Sequence, residues 1–548
     1  MGTATGLDYA VIIIYFALVL GVGVYLKRFT TTGEDFFLAG RRNSSWVAGL
    51  AFLAANMGAL ELLGMAGNTY KYGAMVAHFY WLGAIPAMLF LAIFMMPFYY
   101  SSKIHSVPGY LKMRFDERNR TLNAISFAVM TLLVSGINLY AMALVLHTIV
   151  GWNFHVCIWI SMFTVMIYVT LGGLTSAIFN EIIQFFLIWG GLALLPILGI
   201  IDVGGWDAMM ARVPETMRHV WANTGDSSSN PMIINYAGII LGLGFVLSFG
   251  YWTTDFLVVQ RAFSAKNLRS AIATPIVASF PKMAIPFIVI VTGLVAFPLL
   301  PELGPANDPA FAHNYDEVLP LLIERYFPPG LMGLGITALM AGFMSGQAGN
   351  ISAFNTVWTY DLYRAHINKD ATDKHYLFVG RLSTIIGMLI SVATAYWAMS
   401  MSTIMDWMQA IFTWVNAPLF ATILLGMFWR RCTSAGAFWG LLIGMVSSFT
   451  MWFLIHYDFL SPAVIAFDAN ASDMAGNFWR AWWAWLVTFG LTIIISLWTK
   501  PKENAELEGL VYGLTPKLSL EGISLWQRPT TWAVISVSIL LFLNIYFW

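Results

Sequence analysis

The second apolar segment of the chain, residues 44–70, constrains the fold more than any other stretch. It reads SSWVAGLAFLAANMGALELLGMAGNTY, which is long and apolar enough to cross a lipid bilayer. Its middle carries Asn56, Gly58 and Glu61, and a carboxylate at mid-membrane is costly unless it faces a polar cavity. Glycines allow a helix to unwind there, but the freed carbonyls must be satisfied by protein or water. The segment therefore predicts an interrupted membrane helix, as found at the binding sites of secondary transporters.

Composition places the rest of the chain in the membrane as well. Of its 548 residues, 59% are hydrophobic and only 10% are charged, whereas soluble domains carry about 25% charged residues. Windows of about 20 residues find roughly fourteen apolar segments, which predicts an all-α polytopic membrane protein in contact with the lipid bilayer. The formal net charge is zero, so nothing favours a nucleic-acid partner. Cys157 and Cys432 belong to different apolar segments, which argues against a disulfide framework or a metal cluster.

The distribution of Lys and Arg predicts the orientation. If the N-terminus lies outside, the inside loops hold most of the 28 Lys and Arg residues, among them Arg41, Arg114 and Arg261. With an even number of helices, both termini then lie outside. The first apolar segment, residues 9–25, lacks a basic flank and a small-residue cleavage site, so we expect a retained anchor. The prediction is a multi-pass protein of the cell (inner) membrane.

A second apolar segment with internal breaks lies at residues 233–260. Its predicted breaking residues are Gly242, Gly244, Ser248 and Gly250. The two interrupted segments are helices 2 and 7 of the predicted fourteen, so they cross the membrane in opposite directions. Matching breaks in oppositely directed helices predict an inverted repeat of five plus five helices. The predicted division is helix 1 with the first inside loop (1–43), the first repeat (44–203), an extracellular loop (204–232), the second repeat (233–429) and peripheral helices 12–14 (430–548).

Three local motifs carry a family resemblance. They are DFFLAGR at 35–41, GGLTS at 172–176 and GMFWRRCTSAGAFWGLLIGMV at 426–446. With these motifs the chain resembles the sodium:solute symporter family, which includes the sodium/glucose cotransporters, and most of all its galactose-type bacterial members. The likeness covers nearly the whole chain. It implies a LeuT-type inverted-repeat fold, in agreement with the repeat inferred from the two interrupted helices, and sodium as the coupling ion.

The resemblance implies a sodium site between broken helix 2 and helix 9. The matching ligands are the backbone carbonyls of Ala54, Met57 and Gly342 and the hydroxyl of Ser345. Gly346 stands where the family often has a second serine, so the coupling could be weak or driven by protons. Glu181 stands where the family often has an aspartate that assists the ion site, although the helix dipole also favours a carboxylate at a helix start. The small residues around Ser345 could equally serve helix packing.

The resemblance also implies a substrate site on the same interrupted helices. Its residues here are Asn56, Glu61, Tyr80, Ser248, Tyr251, Lys282 and Gln409, with Met65 and Phe79 as an outer gate and Tyr251 as the inner one. Asn56, Lys282 and Gln409 match the galactose-type site in residue type, whereas Glu61, Tyr80 and Ser248 replace other residues. The substrate is therefore expected to be a sugar or polyol without having to be galactose. Alternatively, Lys282 and Glu61 form only an internal salt bridge, and Gln409 only bonds a neighbouring helix.

These observations predict a sodium-coupled symporter of a sugar or polyol that works by alternating access, as a monomer or a weak homodimer. The alternative is a symporter of the same fold for an organic acid, sialic acid or amino acid, coupled to protons or weakly to sodium. An enzyme is disfavoured because the sequence has no HExxH motif and no nucleophile elbow. A transporter-like sensor is disfavoured because no signalling domain is apparent.

Overall fold

The computed structural model describes residues 4–30, 32–305, 308, 310–399, 403–514 and 524–548. The helices of the membrane body are α1 (Gly6–Phe29), α2 (Ser45–Asn56), α3 (Leu60–Ala77), α4 (Phe79–Ser101), α5 (Glu117–Val150), α6 (Phe154–Asp202), α7 (Gly238–Thr254), α8 (Phe256–Phe263), α9 (Leu268–Leu299), α10 (Leu331–Ile367), α11 (Asp373–Ala398), α12 (Ile404–Phe428), α13 (Ser434–His456), α14 (Asp473–Trp498) and α15 (Pro529–Tyr546). Shorter helices between them are Gly33–Leu38, Val107–Arg114, Trp206–Arg212, Glu215–Arg218, Val318–Tyr326 and Ala463–Ala466. Two-residue strands β1 (Leu303–Gly304) and β2 (His313–Asn314), which the sequence did not indicate, pair in parallel in a loop.

The membrane helices begin at polar residues that the sequence supplies at the right places. A side-chain oxygen that accepts a hydrogen bond from the backbone two or three residues later satisfies a free N–H of the first turn. Such caps are provided by Asp116 for α5, Thr403 for α12, Thr433 for α13 and Ser472 for α14. The apolar runs that follow have their own hydrogen bonds satisfied within the helix, as a bilayer requires.

The helices long enough to span a membrane do not by themselves confirm the predicted fourteen spans. Eleven helices within the described ranges are long and apolar enough to cross a membrane, or thirteen spans if the bent pairs α2–α3 and α7–α8 each count as one. One of the eleven, α6, has 49 residues, which at 1.5 Å per residue is more than twice the thickness of the hydrocarbon core. The backbone of α6 leaves the helical conformation at Gly173, where φ is +54°.

The two bent pairs differ in where they bend. The axis turns by 64° between α2 and α3, across residues 57–59 that carry the predicted interruption. Between α7 and α8 the axis turns by 47° at Asp255. The predicted breaking glycines instead lie inside α7, which passes Gly242 and Gly244 in wide, π-helical turns and Gly250 in an α-helix. The predicted position of the second interruption was therefore wrong, since it lies later in the chain.

The centre of the molecule is formed by α10 and α12, whose most apolar windows are 89% buried inside the protein. In contrast, the corresponding windows of α13 and α15 are only 22% buried and present large apolar side chains at the surface. Helix α10 packs along α5 and α6 and also contacts α2. This arrangement brings the middle of α10 against the interruption between α2 and α3.

Two of the sequence motifs contact each other in the fold. The short helix Gly33–Leu38 packs on α6 near Gly173, and the Thr175 hydroxyl donates to the carbonyl of Asp35 at 2.8 Å. A Cβ at Gly173 would lie 2.6 Å from the carbonyl oxygen of Phe36, and the positive φ there also favours glycine. The GGLTS motif is therefore a hinge in α6 against which the DFFLAGR segment is fixed.

Two of the arginines predicted for inside loops are fully buried. Arg114 Nε donates to the carbonyl oxygen of Gly426 at 2.6 Å, and its Nη2 donates to that of Trp429 at 3.1 Å. Arg261 lies within α8 with 0% of its side chain exposed. Arg114 still lies in the segment between α4 and α5, whereas Arg261 lies within α8, and hydropathy alone did not show that either has buried partners.

Candidate functional site

A side chain from α5 stabilises the interruption between α2 and α3. After Asn56 the backbone leaves the helical conformation at Met57, so the first N–H groups of the next helical segment lack partners within the chain segment. Asn138 Oδ1 accepts the hydrogen bond of the Ala59 N–H at 3.0 Å, and its Nδ2 donates to the Val134 carbonyl at 3.1 Å. Asn138 therefore acts as a cap that another helix supplies.

Most residues of the predicted ion site lie together where α10 crosses this interruption. The Ser345 hydroxyl donates to the Ala54 carbonyl oxygen at 2.9 Å. A Cβ at Gly342 would lie 2.6 Å from the Met57 carbonyl oxygen, and one at Gly346 would lie 3.0 Å from the Gly58 Cα. The group thus combines backbone carbonyls at the end of α2 and in the middle of α10 with one hydroxyl, and the Ala54 carbonyl also accepts the Met57 N–H at 2.9 Å.

Gly346, where the resemblance implies a serine, is closely surrounded by other atoms. A Cβ at Gly346 would lie 2.9 Å from Asn138 Oδ1, and a Cβ at Gly58 would lie 2.7 Å from the same atom. The amide of Asn138 therefore fills the space between the two glycines. The absence of a side-chain hydroxyl at position 346 and the capping by Asn138 therefore have the same steric cause.

Glu181 has a partner that the sequence did not indicate. Its carboxylate forms an ion pair with the guanidinium of Arg261 on α8, and neither side chain is exposed. Arg261 Nη1 also donates to the Leu257 carbonyl at 2.8 Å. The negative charge of Glu181 is thus neutralised within the protein by a neighbouring helix.

The predicted substrate and gate residues line a single small cavity. Its lining includes Asn56, Glu61, Met65, Phe79, Tyr80, Ser248, Tyr251, Lys282 and Gln409, together with Trp252 and Phe412. These side chains come from α2, α3, α4, α7, α9 and α12. The cavity has a volume of about 50 Å³, well below the range typical of sites for drug-sized ligands. A sugar would therefore enter only after some of these side chains move.

Polar contacts connect the cavity wall across four helices. Lys282 Nζ lies 2.7 Å from Glu61 Oε2 and donates to Asn56 Oδ1 at 2.5 Å. Asn56 Nδ2 donates to the Tyr251 hydroxyl at 3.0 Å. The ammonium of Lys282 also lies 5.0 Å from the ring centres of Tyr80 and Trp252. The predicted salt bridge is therefore present, and it forms part of the cavity wall.

Some polar atoms of the cavity residues have no hydrogen-bond partner within the described part of the chain. Glu61 Oε1 and the Tyr80 hydroxyl are buried without a hydrogen bond of ordinary geometry, and the hydroxyl lies near the Glu61 carboxylate. Gln409 Nε2 contacts only the Met405 sulfur of its own helix, at 3.8 Å. Because buried polar groups are ordinarily hydrogen-bonded, these atoms are available to a ligand that carries hydroxyl groups.

Aromatic side chains close the cavity. The Tyr251 ring packs on Phe412 with centroids 5.0 Å apart, and Phe79 packs on Phe478 at 5.6 Å. A Cβ at Gly83 would lie 2.1 Å from Ser248 Oγ, so the serine occupies the space that glycine leaves. Phe412, three residues after Gln409, was missed by the sequence reasoning, although that spacing places the two on one helix face.

Comparison with known proteins supports a transporter family. Residues 36–444 match the sodium:solute symporter family profile. The chain is 28% identical over 464 residues to a sodium/glucose cotransporter of Vibrio parahaemolyticus, covering 81% of this chain and 83% of the relative. It is 30% identical over 487 residues to a sodium/mannose cotransporter of Bos taurus, covering 84% and 80%.

Among solved structures, a substrate-bound, outward-open Na⁺-coupled sialic acid symporter has a similar fold. The TM-score is 0.75 at 22% identity, and the match covers 91% of this chain and 99% of that one. The family profile spans the interrupted helices, the cavity and the residues around Ser345. The chain belongs to the sodium:solute symporter family.

Proposed function

We propose that the protein is a secondary active transporter that couples inward sodium movement to the uptake of a neutral sugar or polyol. The observation that carries the proposal is the cavity lined by all seven predicted substrate residues and both outer gate residues. The names of the relatives, a sodium/glucose and a sodium/mannose cotransporter, support the same substrate class. Transport without chemical change is proposed, rather than catalysis.

The charge balance of the cavity favours a neutral substrate. Lys282 and Glu61 neutralise each other at 2.7 Å, so a carboxylate on the substrate would meet no net positive charge. The unpaired oxygens of Glu61 and Tyr80 suit hydroxyl groups, which both donate and accept hydrogen bonds. A sialic acid or other organic anion is therefore the less favoured substrate.

The proposed sodium ligands are the Ala54, Met57 and Gly342 carbonyls and the Ser345 hydroxyl. Freed carbonyls at a helix interruption are characteristic sodium ligands in transporters. Gly346 contributes no side chain. Glu181 is not proposed as a direct ligand of the ion, because the Arg261 guanidinium already neutralises its carboxylate. Sodium is here a co-substrate that travels with the sugar.

The proposed coupling runs through α2. Ala54 belongs to the ion group, and Asn56, two residues later, contacts both Lys282 and Tyr251 in the cavity. A sodium ion that fixes the end of α2 would hold Asn56 and hence the inner aromatic gate. Coupling requires only that sodium bind one state more tightly than the other.

The finer topology belongs to the same proposal. Counting α6 as two spans hinged at Gly173 adds one to the thirteen spans, which supports fourteen helices with both ends on one side. The repeats at 44–203 and 233–429, the outside location of both termini, the inner membrane and a monomer or weak homodimer remain predictions. The exposure of α1, α13, α14 and α15 supports a peripheral place for these helices.

The decisive experiment measures uptake into proteoliposomes of radiolabelled glucose, galactose, mannose and myo-inositol, with an inward sodium gradient, a proton gradient or neither. We expect sodium-driven uptake of at least one neutral compound. Ser345→Ala should raise the sodium concentration for half-maximal uptake about tenfold, as loss of one contact to a charged group implies. Ser352→Ala is the matched control, because Ser352 is buried on the same helix and its hydroxyl has no hydrogen-bond partner among the described residues.

The proposed substrate site is tested separately with variants of two buried asparagines. Asn56→Ala should abolish sugar uptake, whereas Asn68→Ala on α3 should not, since Asn68 is equally buried but does not line the cavity. Glu61→Gln leaves Lys282 unpaired and should shift binding towards N-acetylneuraminate. Sodium-driven uptake of that acid, but of no neutral sugar, by the unaltered protein would overturn the proposed substrate class.

A further inference from the structure

A second, larger cavity lies away from the proposed transport site. It has a volume of about 600 Å³ and lies between the segment 102–120, which includes the helix Val107–Arg114, and the end of α10. Its size falls in the range of pockets that hold small-molecule ligands. None of the residues of the transport cavity line it.

Cations dominate the lining of this second cavity. It contains Lys103, Lys112, Arg120, Arg364 and Lys369 but only two carboxylates, those of Glu117 and Asp361. Both carboxylates already have partners within the protein. Glu117 pairs with Lys112 at 3.3 Å and with Arg120 at 2.6 Å, and Asp361 accepts a hydrogen bond from the Ser106 hydroxyl and lies 4.0 Å from Arg120.

Three cations remain without a carboxylate partner in the described part of the chain: Lys103, Arg364 and Lys369. The guanidinium of Arg364 lies over the rings of Tyr360 and Tyr376, at 5.9 and 5.2 Å. That contact fixes its position without neutralising its charge. The three side chains are exposed at the mouth of the cavity.

A histidine in the cavity wall is neutral and lies close to positive charges. His105 stacks on Tyr360 with ring centres 4.7 Å apart. Burial, together with the nearby charges of Arg41 and Arg364, lowers the pKa of His105 to about 4. His105 therefore adds no charge at neutral pH but supplies a ring nitrogen that can hydrogen-bond.

The cavity lies at the ends of the spans α4, α5 and α10, where the connecting segments are rich in Lys and Arg. Arg41 Nη2 donates to the Ile104 carbonyl at 2.8 Å, and Lys502 Nζ donates to the Met113 carbonyl at 3.3 Å. Such loops face the cytoplasm, and basic pockets there suit anionic headgroups. Exposed apolar side chains flank the mouth, with Met113 at 43% and Ile367 at 67% exposure.

We infer that this cavity binds a phosphate oxyanion between Lys103, Arg364 and Lys369. The phosphate is carried either by the headgroup of an anionic phospholipid or by a soluble phosphate ester. Both sources share the same recognition chemistry, in which Lys and Arg donate charge-assisted hydrogen bonds to phosphate oxygens. The inference does not depend on the transported substrate.

Binding is measured directly, so the test is independent of transport. Delipidated protein in neutral detergent is titrated with dioleoyl phosphatidylglycerol or dioleoyl phosphatidylcholine and followed by native mass spectrometry. In parallel, thermal unfolding is measured with glycerol 3-phosphate against sodium chloride of equal ionic strength. The test variant is K103Q/R364Q/K369Q, and the matched control is K27Q/K266Q/K500Q, which removes the same charge from exposed positions outside the cavity.

We expect the test variant to bind phosphatidylglycerol at least tenfold more weakly, with the control unchanged, since it lacks the three cations that attract the headgroup. Preferential binding of phosphatidylglycerol identifies a lipid, whereas stabilisation by glycerol 3-phosphate without lipid preference identifies a soluble ester. Equal losses in both triple variants, or no preference for either probe in the unaltered protein, would overturn the inference. If the triple variant does not fold, Lys369→Gln alone serves, because Lys369 is exposed beyond the end of α10.

Discussion

The two bent helix pairs of this transporter are interrupted by different means. Between α2 and α3 the free Ala59 N–H is capped from α5 by Asn138, and the Ala54 carbonyl is bonded from α10 by Ser345. Between α7 and α8 the cap is local, because Asp255 Oδ1 accepts the Leu257 N–H at 3.0 Å. The first interruption thus depends on two other helices, whereas the second depends on its own sequence.

Glycines do not distinguish the two interruptions. In α7 each of Gly242, Gly244 and Gly250 lies against a neighbouring element, and the helix continues through them. Gly58, at the first interruption, also lies against a neighbour, the Asn138 side chain. Glycine therefore marks a close approach in both places, and the presence of a cap decides whether the helix stops.

The largest effect is expected from Gly242→Val. A Cβ at this position would lie 2.3 Å from the Phe478 carbonyl oxygen, and a backbone atom of α14 cannot move without shifting that helix. We expect a loss of about 3 kcal/mol or more in the free energy of unfolding, measured as thermal unfolding of the purified protein.

Gly490→Val on α14 is the control for this steric effect, because no heavy atom lies within 4 Å of a Cβ built there. Equal stability of the two variants would contradict the close-approach explanation and would return the α7 glycines to a helix-breaking role.

The next largest effect is expected from Asn138→Ala. This change leaves the buried Ala59 N–H unpaired, which costs about 1–3 kcal/mol, and it removes the amide that fills the space between Gly58 and Gly346. Asn123→Ala is a matched control on the same helix, since Asn123 is buried and its amide has no hydrogen-bond partner in the described ranges. If both variants unfold at the same temperature, the remote cap does not hold the first interruption.

A smaller effect is the coupling between Asn138 and Gly346. Gly346→Ser alone would bring its Cβ to 2.9 Å from Asn138 Oδ1, so the single variant should lose stability. In Asn138→Ala/Gly346→Ser the serine gains space and can reach the vacated region. We expect the double variant to be more stable than the sum of the single changes predicts, by about 1 kcal/mol, which a double-mutant cycle of unfolding free energies measures. Strict additivity would show that the two positions do not share one space.

The sequence was sufficient for the first interruption because polar groups inside an apolar run are costly unless they face a polar cavity. Asn56 and Glu61 are of this kind, and both line the cavity. The family resemblance supplied the other cavity residues, such as Lys282 and Gln409. Contacts between helices were not in the pattern of any single segment, so the N–H group that Asn138 caps and the pairing of Arg261 with Glu181 were not identified.

The glycines could not locate the second interruption, for a related reason. A run such as GLG has the same composition whether it unwinds a helix or admits a neighbouring backbone, and only the position of Phe478 decides between the two. The local signal was present one turn later, since Asp255 is followed by Phe256 and Leu257, the pattern of a capping residue before an apolar helix. Giving capping residues more weight than glycines would have placed the predicted bend at Asp255.

The smallest effect is expected at Asp255. It tests most directly whether a local cap and a cap from another helix differ in their contribution to stability. Asp255→Ala removes a local cap, which costs about 1 kcal/mol, whereas Asp255→Asn keeps an acceptor for the Leu257 N–H and should unfold at or above the temperature of the unaltered protein. The measurement is thermal unfolding of both variants beside Asn138→Ala. A local cap should cost less than a remote one because α8 can recruit its own backbone in a tighter turn, while α3 has no substitute for an amide from another helix. If Asp255→Ala proves the more damaging of the two, the second bend also depends on tertiary contacts, of which Asn416 Nδ2 at 3.5 Å from Asp255 Oδ2 would be the first to examine.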